Sequence, residues 1–197
     1  MNTASLDDDG LSTGYASRFE WLRICTCAVI HPSVPYYERL ATSPLATPGR
    51  GYRWITISTA FNLFFVTLRS TPFGPAFFPI LFRNTMIWPF FILIITVILL
   101  WITDWLARKQ GGIGNLETYI FVYAAFSAPL TIIYPVFFWF TLIRWVYIAY
   151  LIYWLLLGVI AIKAVHYISW ENAMVSQALL LITMISGVVE QIGQMGG

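Results

Sequence analysis

Lys163, His166 and Glu171 fall within nine residues, in the stretch VIAIKAVHYISWENAM from Val159 to Met174, of a chain in which 10% of residues are charged. Buried together, an amine, an imidazole and a carboxylate can relay protons or hold a ligand. At the surface, the same trio marks a turn where an apolar run meets water. Few other side chains could do chemistry. His31 and His166 are the two histidines, and they lie in different segments. Cys25 and Cys27 form a C-x-C pair, which fits neither zinc-ligand spacing nor the C-x-x-C-H haem attachment and is too close for an ordinary disulfide. They read as reduced, structural thiols. The sequence has no H-E-x-x-H, no phosphate-cradling glycine loop and no G-x-S-x-G. The stretch GGIGN has no accompanying lysine and follows an apolar run, so it reads as a flexible turn. No catalytic or metal residues are assigned, and the expectation is a protein that is not an enzyme.

The elements that must carry these residues are apolar. The chain is 59% hydrophobic and 18% aromatic over 197 residues, whereas soluble domains average about 45–50% apolar and about 25% charged. A crossing helix needs about 20 apolar residues at 1.5 Å rise each. Five runs are read as spans, at about 54–69, 85–106, 118–142, 145–165 and 172–190, within a membrane domain at 53–192; the first is short but extendable at both ends, because arginine stems reach the headgroups. The third contains Pro129 and Pro135, each of which removes a helical hydrogen bond and predicts a kink. Lys163 and His166 then close span four. Glu171 opens span five, with Ser169 placed to cap it, so the trio reads most simply as an interfacial turn.

Residues 1–14 form a polar tail without the basic, then apolar, pattern of a signal peptide. Residues 15–52 form a cytoplasmic arm. Within it YASRFEWLRICTCAVI, Tyr15 to Ile30, mixes aromatic and basic residues as helices on a membrane surface do, and Pro32 stops it. ATSPLATPGRGY is the linker into span one. PFGPAFFPILF, Pro72 to Phe82, is too short and proline-rich to cross and predicts an interfacial or re-entrant segment. Residues 193–197 form a C-terminal tail. With five spans, eight basic residues collect on the N-terminal side and Arg69, Arg83 and Arg144 on the other. The positive-inside rule places the N-terminus in the cytoplasm and the C-terminus outside. The predicted fold class is an all-α integral membrane protein of five transmembrane helices with an N-terminal interfacial helix.

Asp104, Glu117, Glu171 and Glu190 all fall at predicted helix ends, none at mid-membrane, which argues against a proton-coupled transporter. Asn62 and Gln177 could line a polar path, but interhelical hydrogen bonding is the simpler role. Trp54, Trp88, Trp101, Trp105, Trp145 and Trp170 lie near span ends as an aromatic belt, while Trp139 and Trp154 sit deeper. The net charge of +2 gives no broad basic face for nucleic acid.

Three stretches resemble the Yip domain family of five-span membrane proteins, in a bacterial-type member. They are HPSVPYYERLATSPLATPGRGYRWITIS before span one, QGGIGNLETYIFVYAAFSAP at span three, and YLIYWLLLGVIAIKAVHYISWENAM across spans four and five. The resemblance makes Pro129, Gly158, Lys163, His166 and Ser169 the structural motif positions and covers most of residues 31–192. It implies a membrane-organising or partner-recruiting role, although the D-L-Y-G-P-like stretch of eukaryotic members is missing. Small aromatic-rich helical subunits are common in pigment–protein complexes. The expected function is therefore a non-enzymatic accessory or scaffold subunit of a larger bacterial inner-membrane complex, photosynthetic or respiratory. The alternatives are a Yip-type role and, less favoured, a small transporter or channel. The expected partners are other integral membrane subunits. Lipid, carotenoid or bacteriochlorophyll are the candidate bound groups, with His166 and His31 as candidate pigment ligands.

Overall fold

A computed structural model describes residues 20–139, 144–178 and 182. Among them every regular element is helical. The order is α1 (Glu20–Ile30), α2 (Val34–Ala41), α3 (Pro48–Ser70), α4 (Phe77–Phe82), a π-helical turn (Arg83–Ile87), α5 (Trp88–Lys109), α6 (Leu116–Trp139) and α7 (Arg144–His166), then a helix, α8, over 170–178. Among the described residues, three helices are long and apolar enough to cross a membrane: Phe77–Lys109, Leu116–Val136 and Ile148–His166. α3 matches them in length but is less apolar. The predicted fifth span, 172–190, and the predicted tails lie mostly or wholly outside the described residues, as do 15–19 of the predicted arm helix and 140–142 of span three.

Two boundaries differ from expectation, each because of proline. PGRGY was expected to be linker, yet α3 begins at Pro48 behind Thr47 as N-cap. Proline at the first helical position wastes no donor and has its φ already set. Residues 72–82 were expected to stay at the interface, yet 77–82 run helically into α5. The junction is the π-turn, where the Trp88 N–H donates to the Arg83 carbonyl, five residues back. Pro89 offers no N–H to the preceding turn, and the widened turn absorbs that loss. Pro129 and Pro135 sit inside α6, which continues through both.

α6 is the central post. Every residue from Tyr119 to Ala128 is buried, and α1, α2, α3, α5 and α7 all pack against it. Small residues make this possible: Ala124, Ala125, Ser127 and Ala128 let neighbours approach closely. The Gly51 backbone of α3 stands so close to Ile120 that a Cβ there would lie 3.0 Å from its side chain. Trp54 stacks near Phe121, ring centroids 5.2 Å apart. α3 and α6 therefore start at the same end and run parallel.

The arm does not merely lie on a surface. Ile24, Cys25 and Ala28 of α1 and Tyr37 and Leu40 of α2 are buried against the bundle. The Tyr37 hydroxyl donates to the Ala28 carbonyl at 2.8 Å, and its ring meets Phe126 edge-on. From α7, the Tyr153 hydroxyl donates to the Val29 carbonyl. Tyr153 stands thirteen residues before His166, about 20 Å along the helix, so the α1–α2 hairpin braces the middle of α6 and α7. Burial holds the Cys25 thiol up at about 12 and the Tyr36 phenol at about 12.

Candidate functional site

The ends of α5 and α7 meet the start of α6 at one polar junction. α5 stops in a glycine-built cap: Gly111 has φ 89°, its N–H donates to Arg108, and the Gly112 N–H donates to Ala107 at 2.9 Å. This two-bond closure satisfies carbonyls that the helix end leaves free. α7 stops with Tyr167 at φ 57°, its N–H donating to the Lys163 carbonyl at 2.8 Å. Here a tyrosine occupies the left-handed position that usually falls to glycine. The two turns then join, the Ile113 N–H donating to the His166 carbonyl at 3.2 Å.

Inside this junction lies a carboxylate–imidazole pair. Asp104 is 4% exposed and His166 0%, and Asp104 Oδ1 stands 3.2 Å from His166 Nε2. They approach without the alignment of a hydrogen bond; among the described residues neither of these atoms, nor His166 Nδ1, has a hydrogen-bond partner. The other Asp104 oxygen accepts from Arg108 Nε at 2.9 Å. The Tyr119 ring meets the imidazole edge-on, with centroids 6.0 Å apart. Glycine is obligatory around it. A Cβ on Gly112 would sit 2.9 Å from His166 Cβ and 3.0 Å from Nδ1, and one on Gly114 would sit 2.3 Å from the Val165 carbonyl oxygen.

A second polar contact lies about two turns back along α7, at Gly158. The Gln177 amide of α8 donates to the Tyr119 hydroxyl at 2.7 Å and to the Gly158 carbonyl at 3.0 Å. Gly158 is close-packed against that amide, its Cβ position 3.2 Å away. Gln177 thus makes the interhelical bonds expected of it, whereas Asn62 Oδ1 is buried without a partner among the described residues.

The trio that opened the sequence analysis is divided in space. His166 turns inward to Asp104. Lys163 Nζ donates to the Ile168 carbonyl at 3.0 Å and lies 5.1 Å from the Trp170 ring. Glu171 is exposed, while Ser169 accepts from the Asn172 N–H at 3.2 Å, the expected N-cap. Of the motif positions, Lys163, His166 and Ser169 lie at this junction, Gly158 lies about two turns back along α7, and Pro129 lies deeper along α6. His31 is exposed at the α1–α2 turn, far from His166. Asp104 was the residue missed. Its signal was present: Leu100, Thr103, Asp104 and Ala107 recur on one helical face, all buried, which aims the carboxylate inward.

Chemically, an aspartate beside a histidine can orient and charge an imidazole for proton transfer. Here both are shut from solvent, and no third His, Cys, Asp or Glu joins them to hold a metal among the described residues. The arrangement acts as a latch tying three helix ends together.

The class defined by these observations is a helical protein whose buried central post, α6, and two further helices are long and apolar enough to cross a membrane. Comparison with protein-family models, with curated proteins and with solved structures finds no match.

Proposed function

We propose that this chain is a non-enzymatic accessory subunit that stabilises a larger membrane complex by helix packing. The observation that carries the reading is the outer face of α5 and the turn before it. Ile87, Phe91, Ile94, Ile98, Trp101 and Trp105 are all between 45% and 56% exposed. Their spacing alternates four and three residues, the repeat of one helix face, and with Phe90 and Ile95 beside them at 59% and 55% exposed they make a broad apolar face. Such a face can take another helix as well as lipid. The enclosed Asp104–His166 pair, closed to substrate, fits the non-enzymatic side of the reading.

Orientation and host belong to the same proposal. Arg50, Arg53, Arg108, Lys109 and Lys163 gather at the end holding the junction, which the positive-inside rule assigns to the cytoplasm of a bacterial inner membrane. With α3 and the fifth apolar run as crossings, the chain has five spans. The aromatic wealth suits an energy-converting host, and exposed His31, rather than enclosed His166, is the imidazole open to a pigment magnesium. The Yip-type reading draws on the motif positions Lys163, His166 and Ser169 at one turn, with Gly158 packed on Gln177, but the docked arm leaves less of itself free to recruit partners.

The test is a gentle-detergent purification of the tagged chain from its native membrane. A photo-reactive residue is placed at Phe91 or Ile98, and products are read by mass spectrometry and absorption. Stoichiometric membrane subunits crosslinked through α5 support the proposal. Recovery of the chain alone, crosslinked only to lipid, overturns it.

A further inference from the structure

A cleft of about 850 Å³ opens between α1, α3 and α6, within the roughly 300–1,000 Å³ of small-molecule sites. Its walls are mostly apolar: Trp21 from α1, Ile57 from α3, Ile132 and Ile133 from α6. Trp21, Ile57 and Ile133 are 46%, 64% and 44% exposed, so the cleft opens sideways onto the surface that a bilayer would cover. At one end Arg50 and Arg53 line it, with Glu20 as the acidic residue on the rim. The two arginines are three residues apart and share a helix face. Among the described residues neither makes an ion pair.

The levels agree with a lipid standing upright. Gly51 packs on Ile120, which sets the arginine turn near the start of α6, where its apolar stretch begins. Ile132 lies twelve residues beyond Ile120, about 18 Å down the helix, a depth suited to an acyl chain. A guanidinium forks onto phosphate oxygens and is only weakly hydrated. We infer that this cleft binds one anionic phospholipid of the bilayer, its phosphate on Arg50 and Arg53 and one acyl chain lying along Ile57 and Ile132. The inference concerns the isolated chain and stands apart from the proposed assembly.

Native mass spectrometry of the purified full-length chain tests it. Phosphatidylglycerol is compared with phosphatidylcholine of the same acyl chains. The wild type should prefer phosphatidylglycerol by about tenfold or more, because both lipids carry the phosphate but the ammonium of phosphatidylcholine cancels its charge and repels the arginines, at about 1 kcal/mol per arginine near an anionic lipid. Arg50→Gln with Arg53→Gln should bring the two lipids level, with the thermal melt unchanged because both side chains point into the open cleft rim. Ile133→Trp, which fills the cleft from a half-exposed position, should weaken both adducts. Equal binding by the wild type, or a preference that survives the double substitution, overturns the site and leaves the cleft to a helix from another subunit.

Discussion

α5 and α6 are both apolar helices of membrane-crossing length, yet 67% of the α6 span is buried against 11% of the span containing α5. Mean hydropathy runs the opposite way, 1.6 for the buried span and 2.5 for the exposed one. What separates them is the mixture of sizes and polar handles. α6 carries Ala124, Ala125, Ser127 and Ala128 beside Tyr119 and Tyr123, so neighbours can approach its backbone and bond to its hydroxyls. α5 is an almost unbroken run of Ile, Leu, Phe and Trp until Thr103 and Asp104. In a bilayer, where apolar surface gains little by leaving lipid, close packing and hydrogen bonds select the centre. The exception within α5 proves instructive: its last two turns, with Thr103, Asp104 and Ala107, are the part that enters the bundle.

The sharpest way to break this comparison is to cut the same side chain from each helix. Phe126→Ala, at a fully buried site, should cost about 3 kcal/mol through the cavity it leaves. Phe91→Ala, 54% exposed, should change the melting temperature of the isolated chain little. Equal losses in detergent melts would show that α5 is packed as tightly as α6.

Next in size is the latch. Asp104→Ala removes the partner of both His166 and Arg108 and leaves a buried imidazole beside an empty space, a loss of about 2 kcal/mol. Arg108→Ala leaves the buried Asp104 carboxylate without its ion-pair partner, so the loss should be of similar size although Arg108 itself is 49% exposed. Denaturation of the two variants side by side checks this, and a negligible loss from Arg108→Ala would show that solvent, not the guanidinium, satisfies the carboxylate.

A smaller effect concerns the arm, which follows α6 in being buried. Cys25 ionises from 9.0 when free but only at about 12 in place, and Tyr36 moves from 10.0 to about 12, both chiefly through burial. The unfolded chain gives up these protons first, so stability is level below about pH 9 and falls as pH rises from 9 towards 12. Melts across that window should show the decline, shallower in Cys25→Ala. At pH 9 burial keeps the native Cys25 thiol protonated, so Cys27→Ser protein should resist alkylation until unfolded. Ready labelling would mean that the arm is not docked.

The smallest effect is a gain. Tyr167 holds a left-handed backbone at φ 57° with its side chain 56% exposed. Tyr167→Gly should stabilise the junction by about 0.5–1 kcal/mol. A loss instead would show that the tyrosine ring contributes more than its backbone costs.

Local chemistry written along the chain was enough for much of this. Apolar runs set the helices, because a backbone in lipid must satisfy itself. Ser169 before Asn172, the glycines after Lys109 and Pro32 after Ile30 set where helices begin and end, because capping and donor loss act within a turn. Pro48 and Pro89 show the limit of that reading. The first starts a helix where a linker was expected, and the second sits beside a π-turn that carries 77–82 into α5. Which residues meet across the bundle was decided only in three dimensions. Lys163, His166 and Glu171 are neighbours in sequence, yet the fold sends each to a different environment and pairs His166 with Asp104, sixty-two positions away. The arm, amphipathic enough for a membrane surface, is instead wedged along α6 and α7 by Tyr37 and Tyr153. Periodicity can say that a helix has an apolar face. It cannot say whether lipid, another helix or an arm will cover that face, because all three are apolar and the choice turns on shape and a few hydrogen bonds.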